Sequence, residues 1–206
     1  MTGPYANTAR DDALRAQDEA RANVYAIIGR FFYDAPDESL VAAIARGGGE
    51  DDAESGALAR AWRELRGTCG TADPGAIRRE FDNLFAGVGK CEITPFSSHY
   101  VKEAAPDRHL VRLRQVLESW RLEKRGAQTE SEDHVSGLCD VMRLLVVDSR
   151  SLDEQNLFFS EFVYPGLVPF CEAIGKSPNA SFYRCVAQFT LAFLALEKTA
   201  FDMEDG

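Results

Sequence analysis

The sequence has little of what most catalytic and nucleic-acid chemistries require. Only three histidines occur, His99, His109 and His134, and they are scattered. Five cysteines stand at 69, 91, 139, 171 and 185, with no CxxC pair among them. Zinc needs clustered Cys or His ligands, so neither set suggests a metal centre. The glycines at 47–49 lack the Lys-Ser/Thr that completes a phosphate loop. Basic residues are outnumbered: 23 Lys and Arg face 33 Asp and Glu, for a net charge of −10. Nucleic acid and anionic membrane surfaces recruit clustered cations, so neither is an expected partner. No basic start followed by an apolar core opens the chain, so no signal peptide is expected. The most apolar stretch, 189–196, is too short to span a bilayer and runs into Glu197 and Lys198. The expectation is a cytoplasmic protein without stable membrane insertion, its Cys139, Cys171 and Cys185 acting as small buried hydrophobes.

What is present is enough apolar material for a core. Of 206 residues, 45% are hydrophobic and 10% aromatic, which argues against wholesale disorder. The apolar positions follow a helical period almost throughout. A first helix over about 9–33 places Val24, Ile27, Ile28, Phe31 and Phe32 at i, i+3, i+4 spacing. Shorter helices are expected at 37–45 and 54–66. Asp73-Pro74 opens a fourth, with a capping acid and proline in the first turn. Pro106-Asp107 opens another, and Ser131 is read as the cap of the next. Ser151 caps a helix that Pro165 should kink or break. A last helix, about 180–201, is apolar almost all round. With no strand alternation or repeat, the fold class is all-α, a single globular bundle of roughly eight or nine helices. Two lobes, about 1–100 and 106–206, are the alternative, with 101–109 as a hinge.

Two constellations stand out. In the first, Phe81, Leu84 and Phe85 end a helix that leads into a segment without helical period, where Pro95, Ser98 and Tyr100 fall. The bland reading is core packing and a turn. The functional reading is an apolar groove with polar anchors that takes a peptide. The second is Glu130-Ser131-Glu132-Asp133-His134, where a helix cap and first-turn acids account for most residues. Ser97-Ser98-His99 is rejected as a nucleophile–base pair, because chain neighbours seldom present that geometry.

These residues carry a resemblance. Glu80-Phe81-Asp82-Asn83-Leu84-Phe85 looks like the E-Y-x-x-L-F helix end of the TorD/DmsD/NarJ family of redox-enzyme maturation chaperones. Pro95, Ser98 and Tyr100 look like its P-x-x-S-x-Y segment, and residues 130–134 look like its E-P-x-D-H motif. Leu138 and Met142 match the L-x-x-x-M face that follows, and EFVYPGLVPF over 161–170 is similar to E-H-L-x-P-W-L-x-x-F. The pieces occur in the family's order across about 20–200. The chain departs from the pattern at Ser131, Phe162 and Gly166, where the family has proline, histidine and tryptophan.

The resemblance implies an all-α, TorD-like chaperone and not an enzyme. It implies binding of an apo molybdoenzyme catalytic subunit, its twin-arginine leader or both, with help in cofactor insertion, folding and export proofreading. Monomers and domain-swapped homodimers are both implied. The expected peptide site is Phe81, Leu84, Phe85, Pro95, Ser98, Tyr100, Glu130, Asp133 and His134, with no cofactor, metal or catalytic residue. Two other readings stay open: an all-α enzyme using His134 with a carboxylate or metal, and a simple protein–protein adaptor.

Overall fold

A computed structural model describes residues 4–47, 56–86, 91–101, 106–122 and 131–204. Glu130, Gly126 and most of the triple-glycine loop lie outside these. Nine α-helices occupy the described residues: α1 Pro4–Tyr33, α2 Glu38–Arg46, α3 Ala57–Thr71, α4 Pro74–Phe85, α5 Pro106–Ser119, α6 Val135–Val147, α7 Leu152–Phe158, α8 Tyr164–Lys176 and α9 Phe182–Glu204. The fold is all-α, as the periodicity predicts.

Local chemistry fixes many of the ends. The Asp37 carboxylate accepts from the Leu40 N–H, and Asp73 accepts from Gly75 and Ala76 ahead of Pro74. Ser151 and Glu154 form a reciprocal capping box on α7. Each device satisfies backbone donors that a helix start leaves unpaired.

The Pro165 break takes an unexpected form. Residues Phe159–Val163 form a π turn, in which the Tyr164 N–H reaches back to the Phe159 carbonyl. The wider turn joins α7 to α8 in one rod, Leu152–Lys176, so the helix is deformed and not ended. Among the described residues this rod, not 189–196, is the stretch long and apolar enough to cross a membrane, with mean hydropathy 1.3 in its most apolar part. Its Phe158, Phe162, Val163, Leu167 and Phe170 are buried in the protein core, so they belong to a core helix.

The core is one cluster drawing on α1 through α9. α1 packs along α6, while α9 packs on α3 and α8. Aromatic rings interlock at its centre: Phe32 lies 4.9 Å from Phe170, and Phe85 lies 5.1 Å from Tyr183. Glu197 is drawn inside. Glu197 receives both Arg21 Nε and Nη2 at 2.9 Å, and the Tyr25 hydroxyl donates to it at 2.9 Å. Burial and the Glu197 carboxylate both push the Tyr25 phenol well above its ordinary pKa.

Candidate functional site

Residues 91–101 connect α4 to α5 and lie against the start of α6. The segment is extended except for a single 3-10 turn at Ser97–His99. Phe96 and His134 form an isolated antiparallel bridge. On either side of it, the Ser97 N–H donates to the Asp133 carbonyl and the Val135 N–H donates to the Pro95 carbonyl, both at 2.9 Å. The two constellations separated by some thirty residues are therefore one seam.

The bridge also moves a helix start. Ser131 is not the cap of α6; His134 is, and its Nδ1 accepts from the Ser136 N–H at 3.3 Å. The long-range hydrogen bonds on either side hold His134 in an extended conformation, so the helix begins only at Val135. Asp133 consequently stands outside the first turn and serves the seam. Its Oδ2 accepts from the Ser98 N–H at 3.2 Å. Burial alone would raise this carboxyl, but hydrogen bonds from Ser131 and Ser98 hold it below the usual range.

The predicted residues divide by depth. Leu84 is 0% exposed, and Phe81 and Phe85 are also buried among Phe32, Phe170 and Tyr183. They support the seam from behind and offer no open wall in this conformation. Pro95, Asp133 and His134 are buried at the join. Ser98 and Tyr100 are half-buried at its outer edge. The Tyr100 hydroxyl donates to the Thr94 carbonyl at 2.9 Å, and its ring lies 6.1 Å from that of Phe170. Burial, with Cys91 and Cys171 nearby, pushes its phenol up to about 12. At the same edge Arg114 pairs with Glu132 at 3.0 Å. Glu130 lies outside the described residues.

Three participants escape a reading of the sequence. Ser97 Oγ lies 3.0 Å from His109 Nε2, a pairing across twelve residues. Both are buried, at 0% and 3% exposed. Gly166 of α8 faces Ser97 so closely that a Cβ there would lie 2.4 Å from the Ser97 Cβ. Glu80 accepts from the N–H groups of Ser181, Phe182 and Tyr183 at 2.8–3.0 Å, capping α9 from α4. Glu80 stands in the motif already quoted, so its presence was a signal; no local pattern points to the other two.

Among the described residues, no group of three or more His, Cys, Asp or Glu side chains converges to hold a metal ion. His134 is instead occupied by Ser136, whose hydroxyl lies 2.7 Å from Nδ1.

Comparison with known proteins bears on what such a seam is for. No curated protein matches the chain. Residues 51–172 match the family model described as nitrate reductase delta subunit. Among solved structures, the fold is similar to a candidate redox enzyme maturation protein from Archaeoglobus fulgidus. That likeness has a TM-score of 0.52 at 19% identity, over 86% of this chain and 93% of the other. The family match covers more than half of the chain and agrees with the ordered motifs. The chain belongs to the nitrate reductase delta subunit family, one of the redox-enzyme maturation chaperones of TorD/DmsD/NarJ type.

Proposed function

We infer that the protein is a cytoplasmic, system-specific chaperone for a molybdenum-cofactor oxidoreductase subunit. It binds the client's leader peptide, its apo form or both, and assists cofactor insertion, folding and export proofreading. The observation that carries this reading is the seam: two motif segments, distant in sequence, meet in one bridge with a half-buried polar edge. The family supports a maturation chaperone over a catalyst.

In this reading Ser98 and Tyr100 touch the peptide, with Pro95, Asp133 and His134 behind them. Glu130 offers a carboxylate to the leader's arginines, since a guanidinium fork binds a carboxylate with two parallel hydrogen bonds, while Asp133 anchors Ser98 from behind. Phe81, Leu84 and Phe85 form the apolar backing. Micromolar binding, about −8 kcal/mol, suits a chaperone that must later release its client. The single core cluster supports one domain over two lobes.

Calorimetry tests the assignment with a synthetic peptide carrying a twin-arginine pair followed by an apolar run. Micromolar binding, weakened at least about tenfold by Tyr100→Ala or Phe85→Ala, is expected, equivalent to about 1.4 kcal/mol. Unchanged affinity in both variants would remove the seam from the site. Pulldown of apo against cofactor-loaded client separates a chaperone, which prefers the apo form, from an adaptor.

A further inference from the structure

Residues 93–100 sit on the aromatic centre of the molecule through contacts of an unusual kind. The fixings are mostly polar and mostly buried. Ser97 meets His109, the Asp133 carbonyl and carboxylate hold Ser97 and Ser98, and the Pro95 carbonyl holds Val135. Each of these hydrogen bonds can be exchanged for one to water or to another peptide, whereas the apolar core beneath cannot be so exchanged. The surface covered is continuous with the half-exposed edge: Tyr100 lies on Phe170, which lies on Phe85 at 5.8 Å. The seal is tight at one point. Ser97 rests directly on Gly166, with no room for even one methyl group between them.

We propose that residues 93–100 are a removable cover, closed by the Ser97–Gly166 contact and the Ser97–His109 hydrogen bond. Lifted, it exposes Phe85 and Phe170 as an apolar seat for the client's leader. This rests on the leader-binding reading and explains why Leu84 and Phe85 are part of a peptide site while buried at rest. The segment's own Pro95 and Ser97, buried at rest, leave that seat as it lifts. The extended backbone that pairs with residues 133–135 is released together with them.

Affinity in such a device scales with the fraction of molecules whose cover is open. The bridge offers a lock. Phe96 and His134 are flanked on both sides by backbone hydrogen bonds directed away from the pair, the closely spaced kind of antiparallel pair at about 4.5 Å between Cα atoms. That spacing accepts a disulfide. The double variant Phe96→Cys/His134→Cys is expected to bind the synthetic twin-arginine peptide at least about tenfold more weakly oxidised than reduced. Equal affinity in the two redox states overturns the cover.

Gly166→Ala acts in the opposite direction. It should tighten peptide binding by about threefold or more, raise fluorescence of the apolar dye ANS, and speed hydrogen exchange at the Ser97 and Val135 amides. The exchange and dye readings need no peptide, so they decide the cover even if leader binding itself fails. Exchange at those two amides unchanged from the parent protein, in a folded Gly166→Ala variant, overturns it.

Discussion

The Arg21–Glu197 cluster and the seam at residues 94–100 and 131–136 both bury polar groups, but they bury different kinds. The first is a charged pair. Arg21 is two-pronged on Glu197, with Tyr25 and Gln155 completing the set, and it joins α1, α7 and α9. Removing Glu197 leaves Arg21 only its exposed partner Asp18 and the neutral Gln155. The second is built largely on backbone N–H and C=O groups, with one carboxylate, two serine–histidine contacts and no buried cation shown. Opening it leaves groups that water can satisfy at once. One buried polar site therefore fastens the bundle, while the other can come apart without unfolding it.

Breaking the fastener should have the largest effect. Glu197→Ala strands Arg21 and is expected to cost about 3–5 kcal/mol in global stability, read by denaturant titration. A loss below about 1 kcal/mol would erase the contrast.

Asp133→Asn comes next. It weakens acceptors for Ser98 and Ser131 and should cost about 1–3 kcal/mol, with exchange rising first at Ser97 and Ser98. Its pH dependence sharpens the comparison. The Asp133 carboxyl lies below its ordinary value in the folded protein. Its stabilising contribution is thus present above the unfolded value of about 3.9 and is lost as pH falls through the lower folded value. Stability curves of parent and variant should be separated at pH 6 to 7 and converge in the acid limb (roughly below pH 4); parallel curves would remove the carboxylate from the seam's account.

Smaller effects lie outside both regions. Ser151→Ala removes one half of the α7 capping box and should cost about 1 kcal/mol. Leu196→Lys, at a side chain 53% exposed, should stay within about 0.5 kcal/mol in thermal unfolding.

The helices were legible in the sequence because their causes are local. Asp37, Asp73 and Ser151 announce helix starts, and the apolar spacing of Val24 to Phe32 shows a buried face. What was not legible is what distant residues impose. Ser131 is a good cap by type, but the hydrogen bonds to Pro95 and Ser97 hold His134 extended, and it takes the role. Pro165 announces a disturbance without its form. The motif segments at 94–100 and 131–134, far apart in sequence, meet in the fold. They did not show that Leu84 and Phe85 stand behind the surface, because helical spacing identifies an apolar face without saying what covers it.

The π turn at Phe159–Val163 has a consequence for length variation. A π turn holds one residue more than the α-helix around it requires. Removing Ser160, which is exposed there and bonded only to Asn156 among the hydrogen bonds shown, would take out that extra residue and keep Phe158 and Phe170 facing inward, with Pro165 still leaving one backbone bond unmade. The same deletion within α9 would swing every following ring by about 100° around the axis. The rod is thus the place where this chain can lose a residue and keep its register, and relatives with one residue fewer would be expected to lack it there.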